Sequence, residues 1–329
     1  MCPVIETRQL TKAYGVFKAV DNLCVSVDRG EIFGLLGPNG AGKTTTVSML
    51  CTILKPSFGS AFVNGFDVVR ESGMVRKSIG IVFQDPSVDD RLTGRENLLM
   101  HANLYGVSVS LQRERIAHVL KLVELEDRAD DLLRTYSGGM RRRLEIGRGL
   151  IHQPKVLFLD EPTVGLDPQT RDHIWRYIKE LRETHEITVV LTTHYMDEAD
   201  RLSDRIAIMD HGRIVVLDSP QQLKQTLEGD VIAIKSNSSE CLGTLLANSL
   251  GFTNQRFETG ILEVTVANGK ATMPRIVEFA NQNNIYIESI ILREPNLEDV
   301  FLHYTGGSIR EDNTKELHGL SAIHRRGIR

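Results

Sequence analysis

The chain has 329 residues, 41% hydrophobic and 25% charged, an ordinary globular composition with room for two domains and a sizeable core. A formal net charge of −4 and a pI near 6.2 leave no global excess of positive charge for nucleic acid or an anionic membrane surface, so any basic patch is local. The start MCPVIETRQLTKAY has charges within its first ten residues, and no run approaches the roughly 20 apolar residues that span a bilayer, so a membrane role expects a spanning part from another polypeptide.

In chain order, EIFGLLG (31–37) is a short apolar run that reads as a strand buried on both faces, and GKTTTVSMLCTIL (42–54) follows as a helix. Between about 86 and 150 strand signals vanish and helical patterns take over, as in GRENLLMHANLYG and LQRERIAHVLKLVEL, which predicts a helical subdomain. KVLFLD (155–160) and ITVVLTT (187–193) are again buried strands, with the helix PQTRDHIWRYIKELRETH (168–185) between them. The alternation argues an α/β core. After SPQQLKQTLEGD (219–230), VIAIKS, SSECLGTLLANSLG, FTNQRFE, GILEVTVA, KATMPRIVEFANQNN and IYIESIIL read β-α-β-β-α-β, a small ferredoxin-like α+β unit with its hairpin closed near Thr259 and Gly260. PNLEDVFLHYTGG adds a closing helix, and the polar remainder ends in His324, Arg325 and Arg326. The four cysteines, Cys2, Cys24, Cys51 and Cys241, stand far apart without a CxxC pair and are expected to be reduced, mostly buried thiols of a cytosolic protein.

GPNGAGKTT comprises Gly37, Pro38, Asn39, Gly40, Ala41, Gly42, Lys43, Thr44 and Thr45, and fits G-x-x-x-x-G-K-[ST] between a predicted strand and helix. Its glycines let successive N–H groups face a phosphate chain at the positive end of a helix, with Lys43 placed for the β- and γ-phosphates and Thr44 for Mg²⁺. VLFLDEP ends a strand in Asp160, a candidate Mg²⁺ anchor, and Glu161, a candidate to polarise an attacking water; a cap or turn is the alternative for both. His194 ends the next strand and is read either as a γ-phosphate or water contact or as a structural histidine. Gln84, taken alone, is an ordinary turn residue. TYSGGMRRRLEIGRGL (135–150) sets Ser137, Gly138 and Gly139 before a helical run, the parts of an anion-binding helix start, yet no phosphate-loop Lys or Thr lies beside it. Its Arg141, Arg142 and Arg143 read as a solvated helix face that pairs with carboxylates, not as a nucleic-acid patch.

Together, GPNGAGKTT, Gln84, YSGGM with its helix, VLFLDEP, GLDP (165–168) and His194 resemble, in order and spacing, the nucleotide-binding domain of ATP-binding cassette (ABC) proteins over residues 3–220. The resemblance implies a P-loop NTPase fold with an inserted helical subdomain, an ATP-binding domain over 1–220, a linker at 221–229, an accessory domain over 230–305 and a polar, flexible tail at 306–329. It implies ATP and Mg²⁺ as cofactors, with Gln84 joining Thr44 and Asp160 at the metal. Glu161, His194 and Gln84 are implied in catalysis, and Tyr14 in stacking on adenine, with a plain surface tyrosine as the alternative. Ser137, Gly138 and Gly139 would face the γ-phosphate of an ATP held by the partner's phosphate loop, so two ATP molecules would be sandwiched in a head-to-tail dimer, the partner being another copy or a paralogue. Tyr136 and Met140 stand where Leu and Gln are commoner, and Val164 where Ser is common; the Ser-Gly-Gly centre is kept.

QDPSVDDRLTGRENL (84–98) and PNLEDVFLHYTG (295–306) look like the daunorubicin-resistance (DrrA-like) group of ABC ATPases. That likeness implies export of a drug or related hydrophobic compound through a separate transmembrane permease subunit, at the cytoplasmic face of the membrane, without nucleic acid. The alternatives are a soluble ABC-type ATPase, or a nucleotide-gated regulatory module. The C-terminal unit holds no acid, base or metal constellation and is expected to regulate or stabilise the dimer.

Overall fold

The computed structural model describes residues 3–305 apart from 86, 228 and 259; the expected tail at 306–329, Cys2 and Thr259 lie outside the described residues. Two compact units divide between Ser219 and Pro220.

In the first unit, β1 (Ile5–Tyr14) and β2 (Phe17–Val27) form an antiparallel hairpin, and β3 (Ile32–Leu36) ends at the glycine-rich loop that opens α1 (Lys43–Leu50). β4 (Phe58–Val63) and β5 (Phe66–Asp67) return to the hairpin, and α2 (Ser72–Ser78) leads into β6 (Ile79–Val82). The helices α3 (Gly94–Leu104), α4 (Val109–Leu122) and α5 (Gly138–Leu150) follow, then β7 (Val156–Asp160), α6 (Pro168–His185), β8 (Thr188–Thr193), α7 (Met196–Leu202), β9 (Arg205–Asp210) and β10 (Arg213–Asp218). The larger sheet runs β10-β9-β3-β8-β7-β6; all but β10 are parallel. Every residue of β3, β7 and β8 is buried, which is why these segments read as continuous apolar or Thr-capped runs without alternation. Their carboxyl ends collect on one edge, where ligands of open α/β sheets sit.

The helical segment packs on this sheet through Leu98, Val119, Val123, Leu144 and Leu150. Thr93 and Glu96 form a reciprocal capping box that starts α3. Gly147 lets α4 and α5 approach closely: a Cβ there would meet the methyls of Val119 and Val123 at 2.9 Å. Where α3 nears the end of α5, Tyr105 stacks on His152 at 3.9 Å, and His101 lies 6.3 Å from the Tyr105 ring. Burial first, then the charges of Arg148 and His152, push His101 down to about 4. A histidine whose folded value is depressed favours the neutral form, so its contribution is present above 6.5 and is lost as pH falls from there towards 4. His101→Gln is therefore expected to flatten the loss of thermal stability across that interval; an unchanged pH slope in melting experiments would refute the assignment.

In the second unit, α8 (Pro220–Gln225) precedes β11 (Asp230–Ser236), α9 (Ser239–Leu250), β12 (Gln255–Glu258), β13 (Ile261–Val266), α10 (Gly269–Gln282), β14 (Ile287–Arg293) and α11 (Leu297–Thr305). The antiparallel sheet order is β12-β13-β11-β14, with Glu258 opposite Ile261 at the hairpin. Alternate residues Ile232, Ile234, Leu262 and Val264 point at Leu242, Leu246, Ile276 and Ala280 of the covering helices. Within the expected linker at 221–229, α8 occupies the first part, its Leu223 fully buried and the helix packed on α11. The expectation of mostly buried thiols is also corrected, since Cys24 and Cys241 are exposed and Cys51 is buried. Among the described residues no helix is long and apolar enough to cross a membrane.

Candidate functional site

The loop between β3 and α1 is shaped by backbone contact. Gly42 has φ 103°, and a Cβ on it would collide with the Ala19 carbonyl oxygen of β2, so this turn admits only glycine without strain. Lys43 then begins α1, and its ammonium donates back to the carbonyl oxygens of Gly37 (2.7 Å) and Pro38 (3.1 Å). Ala41 accepts from Gly212 N at 3.0 Å, tying the loop to the β9–β10 turn. Asn39 and Gly40 are exposed at the loop tip, and Thr45 is half-buried behind Thr44.

Parallel pairing brings β7 and β8 beside this loop. Thr44 Oγ1 lies 3.3 Å from Asp160 Oδ1, and the hydroxyl of Thr192 donates to the same carboxylate oxygen. Glu161 has φ 49°, the left-handed region that a branched or long side chain seldom adopts; its N–H is held by the Thr192 carbonyl and hydroxyl oxygens, both at 3.1 Å. Its carboxylate lies 3.1 Å from His194 Nδ1 and 3.9 Å from Lys43 Nζ. Burial raises the Glu161 value, but the His194 hydrogen bond and the charges of His194 and Lys43 outweigh it and hold the carboxyl below its ordinary range. Burial likewise lowers Lys43, against the pull of Glu161 and Asp160. The cluster therefore presents an ammonium, an ionised carboxylate and a hydroxyl–carboxylate pair at one sheet edge.

Three expected site elements lie outside that hydrogen-bonded cluster. Gln84 is exposed in the bend after β6, whose Val82 pairs with Leu159, so its loop leaves the sheet next to Asp160 and Glu161. Ser137 caps α5, its hydroxyl accepting from Met140 N at 3.3 Å, while Gly138 and Gly139 supply first-turn N–H groups that have no partner within the helix. Tyr14 is 52% exposed at the end of β1, with Lys12 Nζ 5.3 Å from its ring.

Residues 20–164 match the ABC transporter family, and residues 219–305 match the C-terminal domain of DrrA1-3-like ATP-binding proteins. The daunorubicin/doxorubicin resistance ATP-binding protein DrrA of Streptomyces peucetius is 41% identical over 316 residues, 95% of each chain. The chain belongs to the DrrA-like ABC transporter ATP-binding proteins. The linearmycin resistance ATP-binding protein LnrL of Bacillus subtilis is 38% identical over 94% of this chain and 100% of its own. Among solved structures, a dimeric ATP-binding cassette in a post-hydrolysis state with ADP and Pi superposes with a TM-score of 0.59 at 27% identity, covering 65% of this chain and 98% of that one. CbiO1 of Clostridium perfringens, part of an ABC transporter complex, gives 0.64 at 27% identity over 76% and 97%.

As an ABC transporter ATP-binding protein, the chain is an ATPase whose cassette binds ATP. The DrrA-like cassette also contains contacts that residue patterns did not announce. Thr192 serves both Asp160 and Glu161 from a position that reads only as strand. Fully buried Glu198 of α7 accepts from Thr163 (2.7 Å) and Trp175 (2.9 Å), fastening the segment after Glu161 to the helix after His194. Of the three arginines after Met140, Arg143 pairs with Glu124 at 3.2 Å as a helix-face residue should, but Arg142 is 7% exposed, which corrects the expectation of a solvated face.

Proposed function

We propose that this ATPase energises export of a drug or other hydrophobic compound, working as a head-to-tail pair of copies on a separate transmembrane permease. The observation that carries the pairing is the division of the site. Among the described residues no hydrogen bond or ion pair joins Ser137, Gly138 or Gly139 to Lys43, Asp160, Glu161 or His194, so the exposed, anion-receptive start of α5 is available to another chain's nucleotide. Dimeric cassettes among its structural neighbours, one of them bound to ADP and Pi, support pairing of two copies. Export of this cargo class is supported by the resistance proteins that match 94–95% of its length.

Within each site, Lys43 would bind the β- and γ-phosphates and Tyr14 would stack on adenine. Thr44 and Asp160 already bring a hydroxyl and a carboxylate oxygen together, and with the amide oxygen of Gln84, were its loop to close on them, they would form the hard-oxygen set that Mg²⁺ prefers. The metal, when bound, offsets charge on the phosphate oxygens. Glu161, ionised at neutral pH, would take a proton from the attacking water, and His194 would orient that carboxylate and reach the γ-phosphate. The second unit would regulate or stabilise the dimer.

Transmission to the permease would run through the segment after Gln84. Asp89 accepts from Arg91 N at 2.9 Å and its own N–H is held by Asn97 at 2.9 Å, a stiff turn whose Arg91 side chain is exposed. Arg91→Ala is expected to cut drug efflux by cells carrying the complete transporter about tenfold or more, while hydrolysis by the isolated chain stays within about twofold, the pattern of lost coupling without lost chemistry. Equal losses in both assays would defeat the transmission route. A chain that supports no efflux, with its permease present and hydrolysis intact, would defeat the exporter reading itself.

A further inference from the structure

Beneath the nucleotide cluster lies a set of buried charges that none of the roles above uses. Arg142, Glu145 and Arg148 fall at i, i+3 and i+6 on one face of α5, and each is at most 7% exposed. The Arg142 guanidinium donates to the carbonyl oxygens of Pro162 (2.8 Å), Asp160 (3.1 Å) and Glu161 (3.1 Å), and also to that of Phe83 (2.7 Å), the residue before Gln84. Glu145 braces the same guanidinium at 2.9 Å and accepts from Ser87 N at 3.2 Å, and Arg148 donates to the carbonyl and hydroxyl oxygens of Ser87. α5 thus grips the strand end that carries Asp160 and Glu161 together with both ends of the Gln84 loop.

Stability alone does not call for such an arrangement. Burying a cation is costly, and an apolar side chain of similar volume would fill the space at least as well. What a guanidinium fork does, and an ammonium or an apolar group cannot, is hold four carbonyl oxygens from two separate segments in one plane-directed pattern. We propose that Arg142 is a positioning residue that couples the two ATP sites of the dimer. In the head-to-tail arrangement proposed above, on which this inference rests, the start of α5 completes the partner's site while Glu161 and Gln84 of the same chain serve its own. Through Arg142, a shift of α5 imposed by the γ-phosphate at one site displaces the Glu161 backbone and the Gln84 loop at the other. The coupling needs no flexible relay, because helix, strand end and loop entrance share one set of hydrogen bonds.

The test is steady-state hydrolysis by the full chain as a function of ATP concentration. The parent protein is expected to show a Hill coefficient above 1. Arg142→Lys keeps the charge and loses the fork, and Glu145→Gln removes the brace on it; each is expected to bring the coefficient to about 1 and to lower kcat about 10- to 100-fold. Half-saturating ATP should move by less than about threefold, since the phosphate loop is untouched. If Arg142 merely held the fold together, kcat would fall while the parent's Hill coefficient persisted, and that result overturns the inference. A parent coefficient of 1 overturns it too, as does failure of both variants to fold by circular dichroism, because positioning presupposes a fold that survives the change. Sedimentation of Glu161→Gln protein with ATP separates this inference from its foundation: dimers without kinetic coupling in the parent refute the Arg142 link alone, and absence of dimers refutes the sandwich and the link together.

Discussion

Glu161→Gln is expected to lower ATP turnover by about 100- to 10,000-fold, the range that loss of a positioned general base produces. The amide keeps the shape and can still meet His194, now 3.1 Å from the carboxylate, but it cannot take a proton from water. It also removes the negative charge 3.9 Å from Lys43. Because burial of Glu161 is outweighed by the His194 hydrogen bond and by the charges of His194 and Lys43, the wild-type carboxyl is ionised throughout the neutral range. Its charge contributes stability above the ordinary glutamate value, and this is lost as pH falls through the lowered folded value. An acid limb in turnover assigned to Glu161 must therefore lie below about 4.5. With hydrolysis slowed, ATP-bound dimers should accumulate and be seen by sedimentation. A Glu161→Gln chain that keeps a third or more of wild-type turnover would remove Glu161 from the chemistry.

Lys43→Ala and Ser137→Arg should each abolish most hydrolysis, and mixing the two should restore an ATP-dependent dimer. Lys43→Ala deletes the ammonium now held by the Gly37 and Pro38 carbonyls, and with it the charge-assisted phosphate contact proposed for it. Ser137→Arg fills the exposed start of α5 and removes the cap that accepts from Met140 N. If each chain's α5 served its own ATP, every subunit in the mixture would carry a dead site. If it serves the partner's, one site is whole: Lys43 from the Ser137→Arg chain and Ser137 from the Lys43→Ala chain. Cooperation between sites can mask recovered turnover, so the measurement is dimerisation in the Glu161→Gln background. The helix end contributes up to about 2 kcal/mol towards an anion, roughly 30-fold in binding, which sedimentation resolves. Mixed variants that remain monomeric with ATP, beside a parent that dimerises, would mean that α5 receives some other anion.

Much of the candidate site was legible because its pattern is local. Gly37 to Thr45 are contiguous, and the conformations they require, such as φ 103° at Gly42, follow from residue type alone. β3, β7 and β8 announced themselves because strands buried on both faces must be apolar throughout. The first 30 residues were silent for the converse reason. β1 pairs with β2 through register shifts between Thr7 and Leu10, Leu10 and Lys12, and Lys12 and Ala13, and each bulge breaks the two-residue alternation that marks a half-buried strand. α8 was read as linker because its six residues are too few to establish a helical period.

Residue types and their spacing by themselves determined the glycine-rich loop between β3 and α1, the acidic strand end, the capped start of α5 and the β-α-β-β-α-β order of the second unit, since each is encoded within a few neighbouring residues. Only the tertiary structure decided that Thr192 orients Asp160 and Glu161, that Glu198 ties Thr163 to Trp175, and that Arg142 lies under the site and not on a solvated face. Those contacts join residues 18 to 59 positions apart in the chain. Local periodicity records which face of an element is buried, but strand order and helix docking decide what that face meets, and a buried guanidinium is tolerable only once the carbonyls that satisfy it have been brought around it.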